Sequence, residues 1–112
     1  MEPITLTLRT LDGDPIATVQ AQPTSTLGLV TYRTTDPGRW HLAHHSGLAI
    51  AEFTTDRMAM STASYLGAMA DWTLSAEELR STPNLMQKVA TVVFVADGVL
   101  LLNPDDNTTA TN

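Results

Sequence analysis

Apolar and polar residues alternate through the first half of the chain and switch to a helical period in the second. In residues 4–8, Ile4, Leu6 and Leu8 point to one side and Thr5 and Thr7 to the other, the pattern of a half-buried strand. Asp12-Gly13-Asp14-Pro15 reads as a turn: Gly13 tolerates positive φ and Pro15 interrupts the ladder. Residues 16–19 return as the second arm of a hairpin, and residues 27–34 form a third strand closed by Asp36-Pro37-Gly38. Residues 40–45 and 48–53 make a second hairpin, with Ser46-Gly47 as a two-residue connection. No stretch before Thr54 reads as a helix.

After Thr54 the period changes. Thr55 is placed as an N-cap, with Asp56 favourable to the helix dipole. Met58, Thr62, Tyr65, Leu66, Met69 and Trp72 then form an amphipathic stripe, flanked by Ala59, Ala63 and Ala70, which allow close approach to a sheet. Ser75-Ala76-Glu77-Glu78 is a capping box, with Leu74 and Leu79 as its staple, and Pro83 ends that short helix. Asn84 and Gln87 predict the cap of a further helix through Leu85, Val89, Val92 and Ala96, with Gly98 as its C′ residue. The β-branched run Val92-Val93-Phe94-Val95 keeps a strand as the alternative over residues 85–97, helix being preferred.

Strands first and helices last predict one α+β domain over residues 1–102, an antiparallel sheet of about four to five strands with two to three helices on one face. Residues 103–112 hold no apolar side chain larger than Ala and are expected to form a disordered tail. At 112 residues the chain supports a single core. The longest apolar run, residues 92–96, is far short of a membrane span, and the first residues lack the basic and apolar regions of a signal peptide. The expectation is a soluble, cytoplasmic protein.

Charge narrows the partner classes. The net charge is −6, and the six basic residues comprise five Arg and one Lys. A binder of nucleic-acid backbone needs a positive surface, so nucleic acid is not the leading expectation. The absence of cysteine excludes disulfides, thiolate metal sites and cysteine nucleophiles.

His41, His44 and His45 lie close in sequence, but on a strand His41 and His45 point one way and His44 the other, so three-fold metal ligation is not expected. Asp12-Gly13-Asp14 resembles the start of a calcium loop, yet Pro15 follows and further ligands are missing. Ser46 beside His45 is a neighbour in sequence, not a nucleophile–base pair, since adjacent strand residues face opposite sides. Glu77 and Glu78 are explained by the capping box. No cofactor, metal or catalytic set is therefore assigned. Met58 and Met69 belong to the stripe, whereas Met60 falls on a face with Ser64 and Gly67. Trp40 and Trp72 are read as core anchors.

Trp40, His44, Ser46, Gly47, Phe53 and Thr54, with the later Asp71-Trp72-Thr73, resemble a hairpin pattern in small uncharacterised proteins of actinobacteria and their phages and plasmids. That resemblance spans about half of the chain and implies no activity. The hairpin-then-helix order also resembles the AP2-like arm-binding domain of phage integrases, whose sheet enters a DNA groove. That fold carries Arg and Lys at outward strand positions, where this chain has His41, Ala43 and His45, or Ala49 and Ala51.

The leading expectation is a small non-enzymatic protein, encoded by a phage or mobile element, that binds a protein partner or itself as a homodimer and modulates a host or defence protein. His41, His45, Met60 and Leu29 are its candidate contact residues. An AP2-like nucleic-acid-binding module is the alternative. A small hydrolase assembled from His44, Asp71 and a serine comes third.

Overall fold

The computed structural model describes residues 4–9, 14–34 and 38–101. Strands β1 (Ile4–Arg9), β2 (Pro15–Pro23), β3 (Leu29–Arg33), β4 (Trp40–His44) and β5 (Ala49–Phe53) come first. Helices α1 (Asp56–Gly67), α2 (Ala76–Arg80) and α3 (Leu85–Val95) follow, and β6 (Val99–Leu100) closes the described chain. The six strands form one antiparallel sheet in the order β1-β2-β3-β4-β5-β6. This is an α+β fold with one strand more than the alternation alone provides, because β6 returns to the sheet after the helices. The disordered tail proposed for residues 103–112 lies outside the described residues.

Side-chain alternation gives the sheet two apolar faces. Leu29, Leu42, Ile50, Ala51 and Phe53 join Ala59, Ala63 and Leu66 of α1 and Leu85, Val89 and Val93 of α3 in the main core. A bulge at Leu42/Ala43 pairs Ala43 with Ala49 and Leu42 with Ala51, leaving Ile50 between them to enter the same core. On the opposite face Val30, Tyr32 and Ala43 pack with Leu6 and Ala21 of the first hairpin, and with half-buried Leu8 and Val19. The Arg9 N–H donates to the Gly47 carbonyl at 2.9 Å, so the end of β1 meets the β4–β5 turn.

That turn is one residue longer than the Ser46-Gly47 connection predicts. Gly47 N–H donates to His44 O, and His44 N–H to Leu48 O, both at 2.9 Å, while Gly47 takes φ +101°. These bonds describe a three-residue loop ending in a glycine bulge. Pro15, expected to halt the ladder, opens β2 instead; it pairs with Arg9 across a register shift, at the start of a strand, where a missing N–H is tolerated.

Helix α1 begins as expected, with the Thr55 side chain accepting from Met58 N–H at 3.2 Å. Its buried face follows the predicted stripe and its flanking alanines except at Tyr65, and Met58 packs against the main core. Ala59, Thr62, Ala63 and Leu66 are buried, while Tyr65 is 68% exposed. The small alanines bring the helix close to the sheet, and that approach, not side-chain size, chooses the face. The helix ends at Gly67, and Trp72 in the following loop donates Nε1–H at 2.7 Å to the Leu66 carbonyl, which also accepts from Met69 N–H at 2.9 Å.

The capping box of α2 is present in both directions, between Ser75 and Glu78. Residues 85–95 are helical, which settles the open alternative, but Asn84 does not cap them. It adopts φ 63° to turn the chain between α2 and α3, and in that conformation its side chain makes no capping bond. At the other end Asp97, not Gly98, takes the left-handed position at φ 62°. Asp97 N–H bonds Phe94 O and Gly98 N–H bonds Val93 O, a Schellman closure that turns the chain into β6. No helix among the described residues is long and apolar enough to cross a membrane.

Candidate functional site

Three places gather polar or exposed side chains: two histidine clusters and a groove between α1 and α3. The first cluster lies on the sheet face away from the helices. Strand pairing sets His41 opposite both Tyr32 and Glu52, so the three side chains stand in a row. Tyr32 Oη lies 2.8 Å from His41 Nδ1, His41 Nε2 lies 3.0 Å from Glu52 Oε1, and Arg39 donates to Glu52 Oε2 at 2.7 Å. Burial pushes the Tyr32 phenol up to about 12, so it stays protonated and donates to His41. The His41 Nε2–H then donates to Glu52. The hydrogen bond from His41, with help from Arg39, holds the Glu52 carboxyl below its usual range. Each side chain in the row is engaged by a neighbour. The row stitches β3, β4 and β5 together.

The second cluster sits at the β4–β5 turn. His44 is 2% exposed. Its Nδ1 lies 2.8 Å from Ser46 Oγ and accepts from Ser46 N–H at 3.2 Å, while its Nε2 donates to Leu74 O at 2.9 Å. Serine, histidine and carbonyl thus stand in the order of a nucleophile, a base and an orienting group. The ring nitrogen facing Ser46 is nevertheless shared with that residue's own amide, and the imidazole is sealed from solvent. The unit clamps the turn to residues 73–74.

His45 is exposed and directs Nε2 at the Thr73 and Leu74 carbonyls, each at 3.1 Å, with its ring centroid 4.0 Å from that of His44. Asp71 accepts from Thr73 and takes no part in the His44 unit. Among the described residues no group of three or more His, Cys, Asp or Glu is arranged to hold a metal.

Burial, followed by the neighbouring His45, lowers the His44 pKa from its ordinary value. A histidine held neutral in the folded state contributes stability that is complete above the unfolded pKa of about 6.5 and is lost as pH falls from there through the folded value. The urea midpoint is therefore expected to fall between pH 7.5 and pH 5.5, and most of that slope to vanish in His44→Gln. An equal slope in both proteins would place the titrating group elsewhere.

The third place is of a different kind. A groove of about 540 Å³ runs between α1 and α3, with Met58, Thr62, Val92, Val95 and Ala96 among its lining and Arg57 and Tyr65 on α1. Tyr65, Phe94 and Val95 are 68%, 83% and 79% exposed, a concentration of large apolar side chains on one face. Thr62 is buried in the wall, and its hydroxyl meets no partner among the described residues.

Of the four sequence-derived contact residues, Leu29 is 1% exposed and belongs to the core, because β3 runs directly beneath α1. It offers no surface to a partner. His41 and His45 are held by the bonds described above. Met60 is half-buried, and the α1 face it shares with Ser64 and Gly67 is largely occupied: Ser64 Oγ bonds Ser25 Oγ at 2.7 Å, and Gly67 lies against Thr26.

Sequence reasoning missed Phe94 and Val95. The signal was available in α3, which carries more apolar residues than one buried stripe absorbs once it is read as a helix. Comparison of the chain with protein-family models, with curated proteins and with solved structures finds no match.

Proposed function

We propose that this protein is a non-enzymatic interaction module whose contact face is the outer surface of α1 and α3. The observation that carries this reading is the exposure of Tyr65, Phe94 and Val95 on α1 and α3, with Tyr65 and Val95 lining the apolar groove between the two helices. Aromatic side chains presented in this way are the usual anchors of association. The histidine clusters support the same division of labour, since their polar atoms serve the sheet and its turn. Nucleic-acid binding has less in its favour. Arg39 is engaged by Glu52, and the sheet face that would have to enter a groove is partly covered by β1 and β2.

Replacing Phe94 with Asp puts a charge on the outer surface of α3 without touching the core. Affinity capture from native lysate, with nuclease present, is expected to recover a protein or a second copy with the wild type and to lose it with Phe94→Asp. Circular dichroism should be unchanged between the two. Identical captures by both proteins would remove this face from consideration.

A further inference from the structure

We infer that the groove between α1 and α3 is a binding site for a small amphipathic carboxylate, an aliphatic chain bearing one anionic head. This goes beyond the interaction reading, since it concerns the floor of the groove and not its rim. Its volume of about 540 Å³ falls within the range of small-molecule sites, which are concave, mostly apolar and oriented by a few polar groups. Met58, Val92, Val95 and Ala96 supply the apolar surface. Arg57 and Tyr65 are eight positions apart on α1, a length of about 12 Å at 1.5 Å per residue, enough for a medium-length chain.

The polarity of the ends fixes the direction of the occupant. Arg57 stands in the first turn of α1, where a cation opposes the helix dipole, so helix stability does not account for it. Asp56, the nearest acidic residue in sequence, is directed instead at Thr31, whose hydroxyl lies 3.4 Å from its Oδ1. Among the described residues the Arg57 guanidinium meets no carboxylate or other acceptor. The guanidinium thus favours an anion at this end of the groove. Thr62 adds a second polar feature to the wall, a hydroxyl that is buried and unsatisfied. Such a group costs stability unless something completes it, and a water in the groove would do so after a small rotation of the side chain.

The probes are decanoate and decanol, which share a chain and differ in the head. Titration into the isotopically labelled full chain, followed by NMR, is expected to give saturable decanoate binding with shifts confined to α1 and α3. Decanol should bind about tenfold more weakly, and Arg57→Gln should bring decanoate down to the level of decanol while leaving decanol unchanged. Ser61→Trp, which fills the groove from its solvent side, should abolish both. Phe94→Asp should alter neither, because Phe94 does not line the groove. Loss of lysate capture in that variant therefore reports on the interaction reading separately.

Equal affinity for the two probes, or an Arg57→Gln protein that still prefers decanoate, would overturn the assignment. So would the absence of saturable decanoate binding below its aggregation concentration. A groove that ignores decanoate but loses a captured polypeptide when Ser61→Trp fills it would belong to a protein segment, and the proposal would fall.

Discussion

Gly28→Ala is expected to leave the chain unable to hold its native fold at ambient temperature. Gly28 sits at φ +96°, where an alanine already costs about 1–2 kcal/mol. The larger penalty is steric. A Cβ at this position would overlap the Trp72 carbonyl, which is backbone and fixed. Trp72 is anchored through its indole to Leu66, and Gly28 O accepts from His45 N–H at 2.9 Å, so neither side can retreat without breaking a bond.

Gly38→Ala is the matching control: its φ is +80°, but nothing lies within 4 Å of the added carbon. That variant is expected to lose only the conformational term, about 1–2 kcal/mol. Thermal melts of the two proteins make the comparison. Equal melting temperatures would mean that the loop carrying Trp72 does not pack against Gly28.

Phe53→Ala is expected to cost about 3–5 kcal/mol, a large share of the roughly 5–15 kcal/mol that stabilises an ordinary domain. The ring is 1% exposed, in the core shared by the sheet with α1 and α3. Gly98 packs directly on its edge, where a side chain would not fit. Removing the ring therefore opens a cavity and also loosens the closure that turns α3 into β6. Equilibrium urea denaturation measures the loss, and a value below about 1 kcal/mol would mean that the helical layer does not rest on Phe53.

The first strand was legible because threonine and aliphatic residues alternate through β1, and the starts of α1 and α2 because Thr55 and the Ser75–Glu78 box state their capping chemistry locally. Three features were not. β6 is only two residues long, too short for any period to register, and exists because the Schellman turn at Asp97 delivers it to the open edge of β5. The exposure of Tyr65 was not legible because an aromatic at helical spacing reads as core, whereas packing of α1 against the sheet rewards its small residues, Ala59 and Ala63. The proposed contact face stayed hidden for a related reason. Phe94 and Val95 are apolar and lie among core residues in sequence, and only the direction of α3 separates those that are covered from those that are bare. Leu29 shows the reverse case, an aliphatic residue whose burial depends on which strand lies beneath a helix.

The order of strands along the sheet carries a consequence in time. Each strand from β2 to β5 pairs with the one made just before it, so the sheet can assemble from neighbouring segments as a chain emerges from the ribosome. Its main apolar face, with Leu29, Leu42, Ile50 and Phe53, has no cover until the helices have been synthesised. The β5 edge waits longer still, for residues 99–100. During that interval the nascent chain presents a nearly complete sheet with one greasy side and, besides the β1 edge, an unpaired β5 border, the form in which a β-protein most readily pairs with another copy. The interval in which this protein most needs a chaperone is thus set by how long α1 to β6 take to be synthesised.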